Sequence, residues 1–319
     1  MTTSRELIKA ALDFREYDRV PIEARDASSV PFAYPVGRSN GLIGVKGKRT
    51  DIWGCGWEAL EDGVCGEVKY HPLEDWDHLS RFSPPWDVLK QADLSDVNRF
   101  CASSDKFCYV AWEPAMPNIF ERMQFLRGTE NLFIDLAYGD ARVIKLRDML
   151  HEYYLTQMEM WIKTDIDAIH IADDWGSQNA LLISPEIWRE YFKPIYKQYC
   201  DMAHKMGKYV IMHSDGFVEA IIPDLIEIGV NALNLQIFCM DIEKIADLYH
   251  HKVAFWGEID RQWIQVYGTS DDMRAAVRRL AAAFFKYGNT GFVAQCFYTM
   301  KVPEINKIAE WSEWERVLR

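Results

Sequence analysis

The sequence predicts a single (β/α)8 barrel of the TIM type, on three observations. From Phe107 onward, short apolar runs of strand type alternate with helical stretches, and most of the runs end in a polar tip. That alternation, with right-handed crossovers, makes a parallel sheet. An early strand at 20–24, with one more from the irregular region after it, brings the count close to eight. No Gly-x-Gly-x-x-Gly follows any strand, so an open dinucleotide-binding sheet has no support. The 319 residues suit one such barrel, read as a single domain over 1–319.

The elements follow in order. An opening helix at 5–12 carries Leu7, Ile8, Ala11 and Leu12 on one face. After the strand at 20–24, residues 25–85 are irregular and rich in Gly, Pro, Trp and Asp, with Asp51-Ile-Trp-Gly-Cys-Gly-Trp57 the most distinctive stretch. An excursion this long is expected to form a lid or binding loop, with Trp53 and Trp57 lining a pocket. A helical segment at 75–81 precedes the Pro84-Pro85 break. The strand 107–112 ends at Glu113, and helices follow at 119–126, 130–137 and 142–163. The strand 167–172 ends at Asp173-Asp174-Trp175. Ser184-Pro185 starts a helix that runs to 206. The strand 209–212 ends in His213, Ser214, Asp215 and Gly216. Beyond it lie a helix at 218–228, a strand at 232–236 tipped by Gln236, and a helix at 241–249. The strand 253–256 ends in Gly257-Glu258-Ile259-Asp260. A helix at 270–287, a strand at 291–295 ending at Cys296, and a final helix from Pro303 complete the chain.

Composition narrows the function. A formal charge of −12 with no basic run argues against nucleic acid or an anionic membrane as partner. The longest apolar runs, such as Ala281–Phe285, are far too short to cross a bilayer, and the N-terminus leads directly into a helix without a signal-peptide core. The seven cysteines are scattered without a CxxC pair, which fits reduced thiols in a cytoplasmic protein. Twelve tryptophans and fifteen tyrosines fit an aromatic-lined pocket.

In a barrel, strand C-termini converge on one mouth, where catalysis sits. The tips carry Glu113, Asp173, Asp174, His213, Asp215, Gln236, Glu258, Asp260 and Cys296. Residues two apart on a strand face the same way, so His213 and Asp215 are expected to point together into that mouth. A single acidic tip most simply caps the next helix. An imidazole, a thiol and several carboxylates on one face make a zinc environment with an open position. His170, inside its strand, reads as a hydrogen-bonded core histidine.

Read in order, several stretches together resemble the uroporphyrinogen decarboxylase superfamily, and most nearly its zinc-dependent methyltransferases that exchange methyl groups with corrinoid proteins. They are Arg5–Leu12, Asp18-Arg-Val-Pro21, Gly128-Thr-Glu-Asn131, Asp173-Asp-Trp-Gly176 with Ile183-Ser-Pro185, His213-Ser-Asp-Gly216 with Ile221–Gly229, Gly257-Glu-Ile-Asp260, and Cys296. The resemblance implies the same barrel. It also implies zinc on His213 and Cys296, with Asp215 where the methyltransferases have a second cysteine and Glu258 as a replacement ligand. A carboxylate in that place makes zinc a stronger Lewis acid, suited to an ether oxygen on a methyl donor. The expected reaction moves a methyl group from a small methylated donor, such as a methoxy compound, to a corrinoid on a partner protein. Asp173, Asp174 and Glu113 would orient substrate or move protons; Trp53, Trp57, Trp175 and Gln236 would contact it. The alternatives are a tetrapyrrole decarboxylase and a non-catalytic corrinoid or tetrapyrrole binder. The decarboxylase branch places arginines in its N-terminal motif, whereas Ile22–Ser29 here offers one arginine and two acids.

Overall fold

The computed structural model describes residues 2–31, 46–62, 66–111, 117–296, 298 and 301–318. Its strands are β1 (Ala27–Ser29), β2 (Gly47–Thr50), β3 (Gly56–Ala59), β4 (Glu67–Tyr70), β5 (Phe107–Val110), β6 (Ala168–Ala172), β7 (Tyr209–Ser214), β8 (Ala232–Leu235), β9 (Ala254–Gly257) and β10 (Phe292–Ala294). Seven of them form one parallel sheet in the order β1-β5-β6-β7-β8-β9-β10. A parallel bridge from Ile22 to Ala294, with Ala294 N–H donating to Pro21 O at 2.9 Å, ties β10 back to the segment just before β1. The fold is the TIM-type barrel that the alternation predicts.

The first stave differs from the expected strand at 20–24. Ile22 keeps its bridge, but Glu23–Asp26 makes one helical turn before β1 begins. Asp26 is the cause. Its fully buried carboxylate accepts from Ile22 N–H at 2.9 Å and Ser4 Oγ at 2.7 Å, and takes both arms of Arg19 at 2.7 Å. Satisfying so many donors at one carboxylate offsets the cost of interrupting the strand.

Alternation along the strands divides the core in two. Phe107, Tyr109, Ala168, Ile211, Ala232, Ala254, Trp256 and Val293 fill the barrel, and Leu7, Ile8, Ala11 and Leu12 of the helix Ser4–Leu12 pack with them as a plug. The residues between them, such as Ile169, Ile171, Val210, Met212, Leu233 and Phe255, face the surrounding helices. β5 to β10 are therefore largely buried on both sides, as a parallel sheet requires.

Two helical expectations change. The stretch read as one helix from 184 to 206 is two, Pro185–Tyr191 and Lys193–Lys205, because Pro194 opens a new first turn where its missing N–H costs nothing. The segment expected at 75–81 is a single 3-10 turn, Trp76–His78. The irregular excursion holds an antiparallel sheet, β2-β3-β4. Buried Asp51 anchors it: Oδ1 accepts from Trp53 N–H at 2.9 Å and Cys55 N–H at 2.8 Å, and Oδ2 from Trp57 Nε1 at 2.9 Å and Arg122 at 3.2 Å. Arg122 lies on the helix Ile119–Arg127, so the excursion is fastened to the barrel's helical shell.

Candidate metal centre

β6 and β7 are paired through Ala172 opposite His213, and the loops beyond them stay zipped together. Asp173 N–H donates to His213 O at 3.2 Å, Gly176 N–H to Asp215 O at 3.2 Å, and Phe217 N–H to Ser177 O at 2.7 Å. Trp175 N–H donates to Ser214 Oγ at 2.9 Å, and Asp215 N–H to Asp174 Oδ1 at 2.8 Å. The extended ladder carries the inward parity past the strand ends, so Asp174, His213 and Asp215 share the mouth. His213 Nε2 is 3.4 Å from Asp215 Oδ1 and 3.6 Å from Asp174 Oδ1. One ligand atom from each of the three lies within 4.8 Å of the others, and among the described residues this is the group of three or more His, Cys, Asp or Glu so arranged.

The charges are interdependent. Burial disfavours charge on His213, but Asp215, Asp174 and Asn234 outweigh it and hold the imidazole up to about 9. Burial raises the Asp174 carboxyl against the pull of His213. Asp215 is also penalised by burial, yet His213 and Arg261 bring it below the usual carboxylate range. Arg261 ion-pairs with Asp215 on one side and with Glu258 at 2.6 Å on the other. Glu258 is 5% exposed, and burial pushes it up to about 7 despite that arginine. Beside the group lies a cavity of about 60 Å³ lined by Gln178, Gln236, Cys239, Glu258, Asp260 and Arg261, among others. Gln236 turns its Oε1 to Gly216 N–H at 2.9 Å.

The other residues singled out from the sequence go elsewhere, and strand parity explains most of them. Asp173 and Trp175 have the opposite parity to Asp174. Asp173 is fully buried and accepts from the N–H groups of Phe120 at 3.1 Å and Glu121 at 2.8 Å and from the Tyr196 hydroxyl. It caps the first turn of Ile119–Arg127 from outside that helix, which corrects its reading as a group facing substrate. Burial lifts it to about 7 against those three donors. Trp175 stacks on Phe120 with ring centroids 4.0 Å apart, in the outer core. Trp53 packs on Tyr153 and Arg122, and Trp57 on Phe125; both are core residues of the excursion rather than pocket lining. Cys296 also departs from expectation. Gln295 has the inward parity, so Cys296 turns outward to Tyr298 and buried Glu310 of the helix Glu304–Trp314, and it is not part of the His213 group. Asp260 caps a turn, accepting from Gln262 and Trp263 N–H. Glu113 lies outside the described residues.

Two residues at the site were not named from the sequence, Arg261 and Asn234. Arg261 sits three residues after Glu258, and Asn234 directly opposite His213 on β8; parity would have found the second. His170 needs a different correction. Its ring lies 6.1 Å from that of His213 and 6.2 Å from that of Tyr109, inside the barrel. Neither nitrogen meets a hydrogen-bond partner among the described residues, and burial holds the ring down to about 3.

One imidazole nitrogen and two carboxylate oxygens are a donor set that could hold zinc; the cavity adjoins them through Arg261, and none of the three lines it. No helix among the described residues is long and apolar enough to cross a membrane.

No curated protein matches the chain by sequence. Among solved structures, a methyltransferase from Methanosarcina mazei matches with a TM-score of 0.74 at 15% identity, covering 100% of both chains. A D-psicose 3-epimerase matches with a TM-score of 0.40 at 11% identity, over 72% of this chain and 82% of that one. A glycosylated endo-beta-1,4-xylanase from Gloeophyllum trabeum gives 0.42 at 12%, over 70% and 81%. The first likeness establishes a shared fold along the full length, and the other two carry no weight here. The model of the uroporphyrinogen decarboxylase (URO-D) family matches residues 122–296, more than half of the chain, and with the barrel described above it makes this protein a member of that family.

Proposed function

We propose that this protein is a zinc-assisted methyltransferase that moves a methyl group from a small methylated donor, most simply a methoxy compound, to a corrinoid carried on a partner protein. The observation that carries the reading is the meeting of Asp174, His213 and Asp215 at the barrel mouth, beside a small cavity. The full-length likeness to a methyltransferase supports it. Asp174, His213 and Asp215 would hold the metal, which when bound supplies Lewis acidity toward the donor oxygen.

The chain's own residues account for the rest. Arg261 holds Asp215 and Glu258 in register and balances part of their charge. Gln236 borders the cavity, where it can contact a small donor. When the methyl–oxygen bond breaks, the bonding pair stays on oxygen, which then needs a proton. Glu258 borders the cavity, and its raised carboxyl keeps a proton near neutral pH, so it is the acid for that oxygen rather than a metal ligand.

A polycarboxylate tetrapyrrole suits this mouth less well. The one arginine of Ile22–Ser29, Arg25, is spent on Asp26 at 3.2 Å and Glu315 at 3.2 Å, and the mouth itself carries several acids. The test is methyl transfer from a panel of methoxy compounds to cob(I)alamin, followed by absorbance. Turnover that disappears in His213→Ala supports the reading. Conversion of uroporphyrinogen, with no methyl transfer from any donor, would replace it.

A further inference from the structure

We propose that Asn234 is a positioning residue that decides which nitrogen of His213 faces Asp174 and Asp215, and that Gln295 holds Asn234 to that task. The inference rests on reading those three residues as a metal site. Asn234 lies opposite His213 on the neighbouring strand and is 4% exposed. The two ends of a carboxamide have nearly the same shape, so its partners decide which way it points. Here they leave no choice. Asn234 Nδ2 is 2.6 Å from the Trp256 carbonyl oxygen, a group that only accepts. The nitrogen therefore faces β9, and Oδ1 faces His213.

Oδ1 lies 2.8 Å from His213 Nδ1. An amide oxygen only accepts, so Nδ1 carries the hydrogen. That leaves Nε2, the nitrogen 3.4 Å from Asp215 and 3.6 Å from Asp174, as the one that gives up its proton when an ion binds. Gln295 Oε1 takes the second Asn234 hydrogen at 2.7 Å. Turning the amide over would set Asn234 Oδ1 against the Trp256 carbonyl, acceptor to acceptor. The chain Gln295–Asn234–His213 thus crosses the barrel interior from the end of β10 to β7 and fixes which ring nitrogen keeps its hydrogen when an ion binds. Metal-bound histidines depend on such a partner for ring orientation and basicity. An asparagine performs this service without adding a negative charge to a mouth that already holds Asp174 and Asp215.

The experiment measures zinc affinity by competition with a chromophoric chelator, together with ¹⁵N resonances of the His213 ring. Three variants are compared with the full-length wild type: Asn234→Leu, Asn234→Asp and Gln295→Met. Asn234→Leu, which cannot accept, is expected to weaken zinc by about 10- to 100-fold and to abolish the slowly exchanging Nδ1–H signal of His213. Asn234→Asp keeps an acceptor toward Nδ1 but sets its second oxygen against the Trp256 carbonyl, so it is expected to restore the signal and only part of the affinity, a partial rescue that a merely space-filling role would not give. Gln295→Met is expected to fall between, and it serves in place of Asn234→Leu should that variant not fold. Zinc affinity and Nδ1–H signal unchanged in Asn234→Leu, or equal losses in Asn234→Leu and Asn234→Asp, would overturn the proposal. If the wild type takes no zinc the metal reading fails by itself, and the Nδ1–H signal of the metal-free protein still decides the role of Asn234.

Discussion

Gly176 and Gly216 touch backbone to backbone: a Cβ built on Gly216 would lie 2.3 Å from Gly176 O, and one on Gly176 would lie 2.4 Å from Phe217 N. No side chain fits between the loops after β6 and β7, and Gly216 has φ +78°, a conformation other residues adopt at a cost. This contact lets Asp174 and Asp215 stand side by side. Gly216→Ala is expected to destabilise the protein by about 2 kcal/mol or more and to weaken metal binding with it. Urea unfolding and zinc titration check this; an alanine variant with wild-type values for both would show that the loops separate freely.

Asp173 is expected to matter for stability and not for the metal. Asp173→Ala removes the acceptor of two helix N–H groups and one hydroxyl, and should cost about 1–3 kcal/mol. Zinc affinity should stay within a few-fold of wild type under conditions where the variant is folded. A variant of normal stability that loses methyl transfer would return Asp173 to the chemistry.

Asp51 holds the excursion to the shell through Arg122, with both side chains out of solvent. Asp51→Ala strips a buried guanidinium of this carboxylate, an event that costs about 3–5 kcal/mol in comparable pairs. Proteolysis should then cut near β2–β4 before the barrel opens. Wild-type resistance to protease would mean that Trp53 and Trp57 anchor the segment by packing alone.

Glu310 gives a pH signature. Burial raises its carboxyl to about 8, against an ordinary 4.5. A raised folded value means the folded protein keeps a proton that the unfolded chain has released. Its stabilising contribution is therefore complete below about pH 4.5 and is lost as pH rises through about 8, at a limiting slope of about 1.4 kcal/mol per pH unit. Glu310→Gln cannot titrate, so the variant should gain on wild type as pH goes from 5 to 8 in urea unfolding. A difference that stays constant over that range would show that Glu310 is not held neutral.

Much of this fold is legible in the sequence because both of its periods are strong. The runs at 107, 168, 209, 232, 254 and 292 stand out between helices, and six of the seven sheet strands begin within one or two residues of where they are expected. The first stave was misplaced because one carboxylate, Asp26, outcompetes strand geometry, and no periodicity shows that. The site was legible in part. Alternation puts His213 and Asp215 on one side, and both do share the mouth. Applied equally to the neighbouring tips, it separates Asp174 from Asp173 and Gln295 from Cys296, and picks out Asn234. Trp53 and Trp57 look like pocket residues because they lie in a long irregular segment, but a sequence cannot tell an aromatic core from an aromatic pocket, and both are buried. Arg261 carries no sequence signal beyond its place three residues after Glu258.

The most direct test of the metal centre is the zinc content and affinity of the purified protein beside His213→Ala, Asp174→Ala and Cys296→Ser. The geometry predicts about one zinc per chain, lost in the first two variants and largely kept in Cys296→Ser, whose thiol faces Glu310. Loss in Cys296→Ser with retention in Asp174→Ala would put the metal on His213 and Cys296, as the resemblance in the sequence implies, and a protein that takes up no zinc would contradict the proposed chemistry outright.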